Sequence, residues 1–278
     1  MSNDVASLHN LVSARILAIA NQKGGVGKTT TTINLATALA AIGQKVLIID
    51  IDPQGNASTG LGIGREDRGE NVYGVLMGET TIRAAIHKTN IPQLDVVPST
   101  ADLSGAELEL IELDRRSHRL YDAVSEVRGE YDYIRLIDCP PSLNLLTLNA
   151  MVAVHAVVVP LQCEFFALEG LSMLIKTIER VRLTLNPGLE IQGVVLTMFD
   201  KRNNLSLQVA QDVRDFLGDK VYRTVIPRNV RISEAPSHGK PVLIYDHRCA
   251  GSQAYIRLAS EVIRRERHLN AVRGPECE

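Results

Sequence analysis

Two lysines five residues apart bracket the stretch Lys23-Gly24-Gly25-Val26-Gly27-Lys28, which runs on into Thr29 and Thr30. Glycines at this density let a backbone wrap closely around phosphate oxygens, and the turn amides and the N-terminus of a following helix add positive potential. Lys28 is then placed to reach the terminal phosphates of a nucleotide, and Thr29 to ligate magnesium through its hydroxyl. The usual form of such a loop has glycine five residues ahead of the Gly27-Lys28 pair, whereas this chain has Gln22 there, followed by the extra Lys23. A bare glycine turn between strand and helix is the plain alternative, but it has no need of Gly-Lys-Thr at its end.

Acids at two further places supply metal and water chemistry. Asp50 ends the apolar run of KVLIID, Asp52 follows in a loop opened by Pro53, and Asp138 ends YIRLID just before Cys139-Pro140-Pro141. Asp138 suits a carboxylate behind a magnesium ion, and Asp52 suits one that orients or deprotonates an attacking water. Asp50 is read equally well as part of that group or as an acid capping the turn after its strand.

These residues need a frame that brings them to one edge. Short β-branched runs start at Arg15, Lys45, Leu94, Tyr133, Ala156, Ile191 and Val221, and several are apolar throughout, as expected of parallel strands covered on both faces. Helical patterns lie between them: Thr29 to Ile42 closed by Gly43, Ala101 to Val127, Leu168 to Leu185, and Leu205 to Leu217 closed by Gly218. A last helix from about Ser252 to Arg267 puts Tyr255, Leu258, Ala259, Val262 and Ile263 on one stripe, with Arg257, Glu261, Arg264 and Arg265 opposite. The alternation predicts one α/β domain over residues 15–268, a doubly wound, mostly parallel sheet with helices on both faces, between flexible tails at 1–14 and 269–278. In such sheets ligands bind at the carboxyl ends of the strands, where the loop and the acids would meet.

Composition excludes several classes. An apolar content of 45% supports a buried core, and the longest apolar run, from Ala150, is too short to span a bilayer. The N-terminal residues lack the basic opening and apolar block of a secretory signal, so a cytoplasmic place is expected. Four cysteines, Cys139, Cys163, Cys249 and Cys277, show no metal-ligand spacing and read as buried or incidental thiols. Net charge is −2, but residues 176–248 hold twelve Lys/Arg against eight Asp/Glu. Within that segment Lys201, Arg202, Arg228 and Arg231 form a candidate DNA surface, against the simpler reading of a solvated basic face.

The runs KGGVGKTT, DIDPQGNAS, LIDCPPSLNLLTLNA and IPRNVRISEAPSHGKP, in this order, resemble the ParA-type (ParA/Soj) partition ATPases, a branch of the deviant phosphate-loop ATPases that also includes MinD and the nitrogenase iron protein. The resemblance runs from Arg15 to about Arg267. It implies ATP and Mg2+ as cofactors, the phosphate loop from Lys23 to Thr30 and Asp138 on the nucleotide, and Thr29, Asp52 and Asp138 around the metal. It implies that Lys23 crosses a homodimer interface to the partner's phosphates, so that Asp52, Lys23 and Lys28 carry the hydrolysis. Adenine recognition would fall to Pro227 and Asn229. The resemblance further implies ATP-dependent, sequence-independent binding of double-stranded nucleoid DNA through Arg202 and Arg231, and a centromere-binding partner of the ParB type. A MinD-like membrane-positioning role and a metabolic reductase or ligase on the same scaffold are the alternatives. Arg135 departs from the family, whose strand is apolar there, and a bulge, an ion pair or exposure near the strand start is expected of it.

Overall fold

Branched apolar strands need cover on both sides, and the chain supplies it with helices. In the computed structural model the described residues are 15–127, 129–131 and 134–273. Among them the strands are β1 (Arg15–Ile19), β2 (Val46–Asp50), β3 (His87–Lys88), β4 (Leu94–Val97), β5 (Ile134–Asp138), β6 (Ala156–Gln162) and β7 (Glu190–Thr197). They lie in the order β3-β4-β2-β5-β1-β6-β7, all parallel except the two-residue edge strand β3, which runs antiparallel to β4. The helices are α1 (Lys28–Ala41), α2 (Asn56–Gly60), α3 (Val72–Met77), α4 (Ala106–Ile111), α5 (Arg119–Ser125), α6 (Leu145–Ala153), α7 (Ala167–Thr184), α8 (Asn204–Leu217), α9 (Val230–Glu234), α10 (Val242–Tyr245) and α11 (Ala250–Arg273).

Alternate strand residues feed two cores. Ile16, Ala18, Leu47 and Ile49 pack with Leu110, Leu120, Ala150, Leu171 and Val209 on one face. Leu17, Ile19, Val46 and Ile48 pack with Leu35, Leu39, Tyr255 and Leu258 on the other. The stripe read on the last helix is buried as a whole: Tyr255, Leu258, Ala259, Val262 and Ile263 all face the core. Among the described residues no helix is long and apolar enough to cross a membrane.

Three expectations are corrected. The run from Val221 to Ile226 does not form a strand: beside β7 it makes one isolated bridge, Val194 to Val221, and two separate bonds, the Tyr222 amide to the Val194 carbonyl (2.9 Å) and the Ile226 amide to the Leu196 carbonyl (2.8 Å), with a second bridge just past both, Phe199 to Pro227. Between them the Arg223 and Thr224 amides donate instead to the Glu261 carboxylate, at 2.8 and 3.0 Å. For the same reason Glu261 does not lie on a solvated face of α11, and Arg265 stacks over the Tyr222 ring at 4.1 Å. The expected helix from Ala101 to Val127 is a 3-10 turn (Ala101–Ser104), α4 and α5. It breaks where Arg115 adopts φ 53°, and α6 fastens the break, the Asn149 amide donating to the Arg116 carbonyl at 2.7 Å. Of the three alternatives expected for Arg135, a bulge is absent from β5, where this residue holds register with Ile16 on one side and Leu47 on the other; its side chain lies outside the described residues, as do residues 1–14 and 274–278.

Candidate nucleotide site

Register brings the chemistry together. Asp138, the last residue of β5, is level with Asp50 of β2 and with Ile19 of β1. The loop leaving β1 and the acids ending β2 and β5 therefore sit side by side at the carboxyl edge of the sheet, as expected of a doubly wound fold. Gly25 and Gly27 take positive φ, 73° and 86°, and Gly27 is the N-cap of α1. At that φ a side chain would be strained. The loop is tied at both ends: Asn21 donates to the Pro160 carbonyl (2.8 Å) and accepts the Lys23 amide (3.0 Å), and the Thr197 hydroxyl donates to the Val26 carbonyl (2.8 Å).

The two lysines point to different places. Lys28 is buried and donates to the Lys23 carbonyl at 3.0 Å, inside the loop. Burial lowers its pKa, opposed by the charge of Asp138. An ammonium held this way by the loop's own carbonyl is placed to meet phosphate. Lys23 is half-exposed and pairs with Glu164, just before α7, at the surface beside the exposed Gly24 and Gly25.

Three buried carboxylates stand at this edge, and the charges of two of them, Asp138 and Asp52, act on Lys28. Asp50 accepts the Ser58 amide and hydroxyl at 2.9 and 2.7 Å and the Asp52 amide at 3.2 Å. Those bonds decide the reading left open for Asp50: it caps the turn and anchors α2. Asp52 accepts only the Gln54 amide among the described bonds, at 3.0 Å. Asp138 accepts the Thr32 hydroxyl on Oδ1 (2.8 Å), while its Oδ2 is buried with no donor. Burial, and then the neighbouring Asp50 charge, push the Asp138 carboxyl well above the usual range. Thr29 lies one turn before Thr32 on the same face of α1. A buried, unpaired carboxylate oxygen beside a helix-N-terminal hydroxyl fits a magnesium ion completed by phosphate and water oxygens. No cluster of three His, Cys, Asp or Glu side chains shaped for a metal occurs among the described residues.

The remaining predicted positions divide. Pro227 pairs with Phe199, two residues past the Thr197 that ties the phosphate loop, so its segment borders the same edge. The Asn229 side chain caps α9 by accepting the Arg231 amide at 2.9 Å. Lys201, Arg202, Arg228 and Arg231 are exposed, but Arg202 is bound twice to Asp200 at 3.0 Å, and Arg231 pairs with Glu234 (2.9 Å) and Asp246 (3.7 Å). Thr32, Glu164 and Ser58 were not among the residues read from the sequence. The i, i+3 spacing of Thr29 and Thr32 was a usable signal for the first; Glu164 reaches Lys23 only through tertiary structure.

A family model described as an AAA domain matches residues 14–191. The chain is 68% identical to the chromosome partitioning protein ParA of Caulobacter vibrioides, over 92% of this chain and 97% of that one. It is 54% identical to the sporulation initiation inhibitor protein Soj of Bacillus subtilis, over 89% and 98%. Among solved structures, cobyrinic acid a,c-diamide synthase from Mycobacterium smegmatis with bound ATP analogue and magnesium aligns with a TM-score of 0.81 at 35% identity, covering 92% and 97%. The shared scaffold thus serves more than one activity, and sequence identity separates them: the chain belongs to the ParA/Soj family of chromosome-partitioning P-loop ATPases.

Proposed function

We propose that this chain is an ATP-switched DNA-partitioning ATPase. The observation that carries the reading is the juxtaposition of buried Lys28, the donor-free Asp138 Oδ2 and the sparsely held Asp52 at one sheet edge. The phosphate loop from Lys23 to Thr30 binds ATP, with Lys28 on the terminal phosphates. Magnesium, when bound with ATP, supplies charge neutralisation on the phosphates; Thr29 and Asp138 hold it and Asp52 borders it. Asp52 orients the attacking water and takes its proton, a role that leaves its carboxylate otherwise uncommitted. The Pro227–Asn229 segment borders the base, and Asn229 retains its amide nitrogen for it.

ATP makes the homodimer: Lys23 leaves Glu164 and reaches the partner's phosphates, so each nucleotide becomes part of a two-fold interface. Two basic patches then act together on nucleoid DNA, weakly each and strongly as a pair. A ParB-type partner stimulates hydrolysis and releases the dimer, in the cytoplasm and away from membranes. The deciding experiment is ATP-dependent binding to random-sequence DNA over a salt series, with Asp52→Ala beside the wild type. Equal binding with ATP, with ADP and without nucleotide would refute the switch.

A metabolic reductase built on the scaffold would need cysteines presented to a cluster. Cys139 is fully buried with its thiol pushed far up by burial, and Cys163 is 5% exposed, which disfavours that reading.

A further inference from the structure

The turn Asp52-Pro53-Gln54-Gly55 carries the water-orienting acid, and its fixity decides where that carboxylate sits. The turn is closed by the Gly55 amide donating to the Asp52 carbonyl at 2.9 Å. Its entry is held by Asp50, as described. Its exit, Gly55 at φ 61°, is held by a residue outside every motif. Arg68 is the one buried arginine among the described residues, 5% exposed. Its Nη1 donates to the Ser99 carbonyl at 3.0 Å, and its Nη2 to the Thr59 hydroxyl at 2.7 Å and the Ile63 carbonyl at 2.8 Å. The Thr59 hydroxyl in turn donates to the Gly55 carbonyl at 3.1 Å. The guanidinium lies so close that a Cβ on Gly55 would sit 2.3 Å from Nη1 and 3.0 Å from the Ser99 oxygen.

Burying a guanidinium with no carboxylate in contact is costly, and packing alone would be served by an apolar side chain. Here the guanidinium donates to carbonyls and a hydroxyl of three segments, α2, the loop after it and the loop after β4, with the charge of Asp50 nearby. Ser58 ties α2 to the loop after β4 and to the end of β2, its hydroxyl accepting the Ser99 amide at 3.1 Å while donating to Asp50. The acid-bearing turn is thus gripped at its entry through Asp50 and Ser58, and at its exit through Arg68, Thr59 and Gly55.

We propose that Arg68, acting through Thr59 and Gly55, is a positioning residue for ATP hydrolysis: it fixes the Asp52 turn without touching nucleotide. The inference rests on the ATPase reading above. Loss of the grip lets Asp52 wander while the phosphate loop, on β1 and α1, is untouched. Turnover falls and ATP affinity does not. Slower hydrolysis also prolongs the ATP-bound dimer, an effect opposite in sign to that of a damaged fold.

The test uses the full chain with Arg68→Met, Arg68→Lys and Thr59→Val, the last at an exposed position. Single-turnover hydrolysis, titration with a fluorescent ATP analogue, and dimer lifetime after dilution are measured together. Arg68→Met is expected to bind ATP within about twofold of wild type, to hydrolyse it about tenfold more slowly, and to hold the dimer longer by a similar factor. Thr59→Val follows the same pattern at about threefold, and Arg68→Lys restores part of the loss. Wild-type turnover in Arg68→Met, or ATP affinity falling together with turnover, overturns the proposal. If Arg68→Met does not fold, unchanged turnover in Thr59→Val overturns it. A wild-type chain that does not hydrolyse ATP refutes instead the ATPase reading itself.

Discussion

The phosphate edge and the basic face hold their charges in opposite ways. At the phosphate edge Lys28, Asp50, Asp52 and Asp138 are buried, and each is set by the backbone or by neighbouring charge, Asp52 by the Gln54 amide alone. At the basic face Arg202 and Arg231 are exposed and paired with acids of their own segments, Asp200 and Glu234. The first site is pre-formed for a ligand that brings charge, and substitution there should be severe. The second is a set of weak surface pairs that a polyanion must outcompete, so substitution there should be graded and salt-sensitive.

The largest effect is expected at Asp52, whose carboxylate accepts one backbone amide and no side-chain donor among the described bonds. Asp52→Ala should keep ATP binding and lower hydrolysis by at least about a hundredfold, leaving a long-lived ATP dimer on DNA. Near-normal turnover, read by phosphate release, would place the water-orienting group elsewhere and remove the distinction between Asp52 and its two buried neighbours.

Lys23→Ala separates the two lysines. It should bind ATP within about threefold of wild type, because Lys28 and the loop amides remain, yet show no ATP-dependent dimer by light scattering. Normal dimerisation would mean that the Glu164 pair is where Lys23 ends, and that the second lysine is only surface charge.

The contrast between the faces also explains what could be read beforehand. The phosphate edge was legible because its parts are local: Lys23 to Thr30 are contiguous, and Asp50 and Asp138 each end a strand, so topology alone brings them level. Arg68 and Glu164 were not, because neither lies in a motif and each acquires its role only when distant strands and loops are stacked. The segment from Val221 to Ile226 was misread because its β-branched pattern is real, but Glu261, 37 residues after Thr224, takes the Arg223 and Thr224 amides that lie between the two amides reaching β7. Spacing shows what a segment prefers, and competition from another helix is invisible to it.

On the basic face, Arg231→Glu should leave ATP-dependent dimerisation intact and weaken binding to random DNA. Losing one phosphate contact per subunit lowers the slope of log affinity against log salt by about 1.8 for the dimer, at about 0.9 per contact. An unchanged slope would show that Glu234 and Asp246 keep this arginine from DNA altogether, and would move the surface to Lys201 and Arg228.

The smallest effect has the opposite sign and bears most directly on the comparison. Asp200 accepts both the backbone amide and the guanidinium of Arg202, and these bonds, with the nearby Arg228 charge, hold its carboxyl down at about 2. A depressed acid loses its pairing only as pH falls from its unfolded value near 4 toward that folded one. Across pH 5 to 8 the pair therefore stays charged, and DNA binding should show no step belonging to it. Asp200→Asn removes the charge while its side-chain oxygen still accepts the Arg202 amide, so the turn survives and the guanidinium is freed. DNA affinity should rise about two- to fivefold at low ionic strength, and the gain should vanish as salt approaches about 0.5 M. If Asp200→Asn binds no better while Arg202→Glu binds worse, the arginine already escapes its partner on DNA, and the intramolecular pairs of the basic face impose no measurable restraint on it.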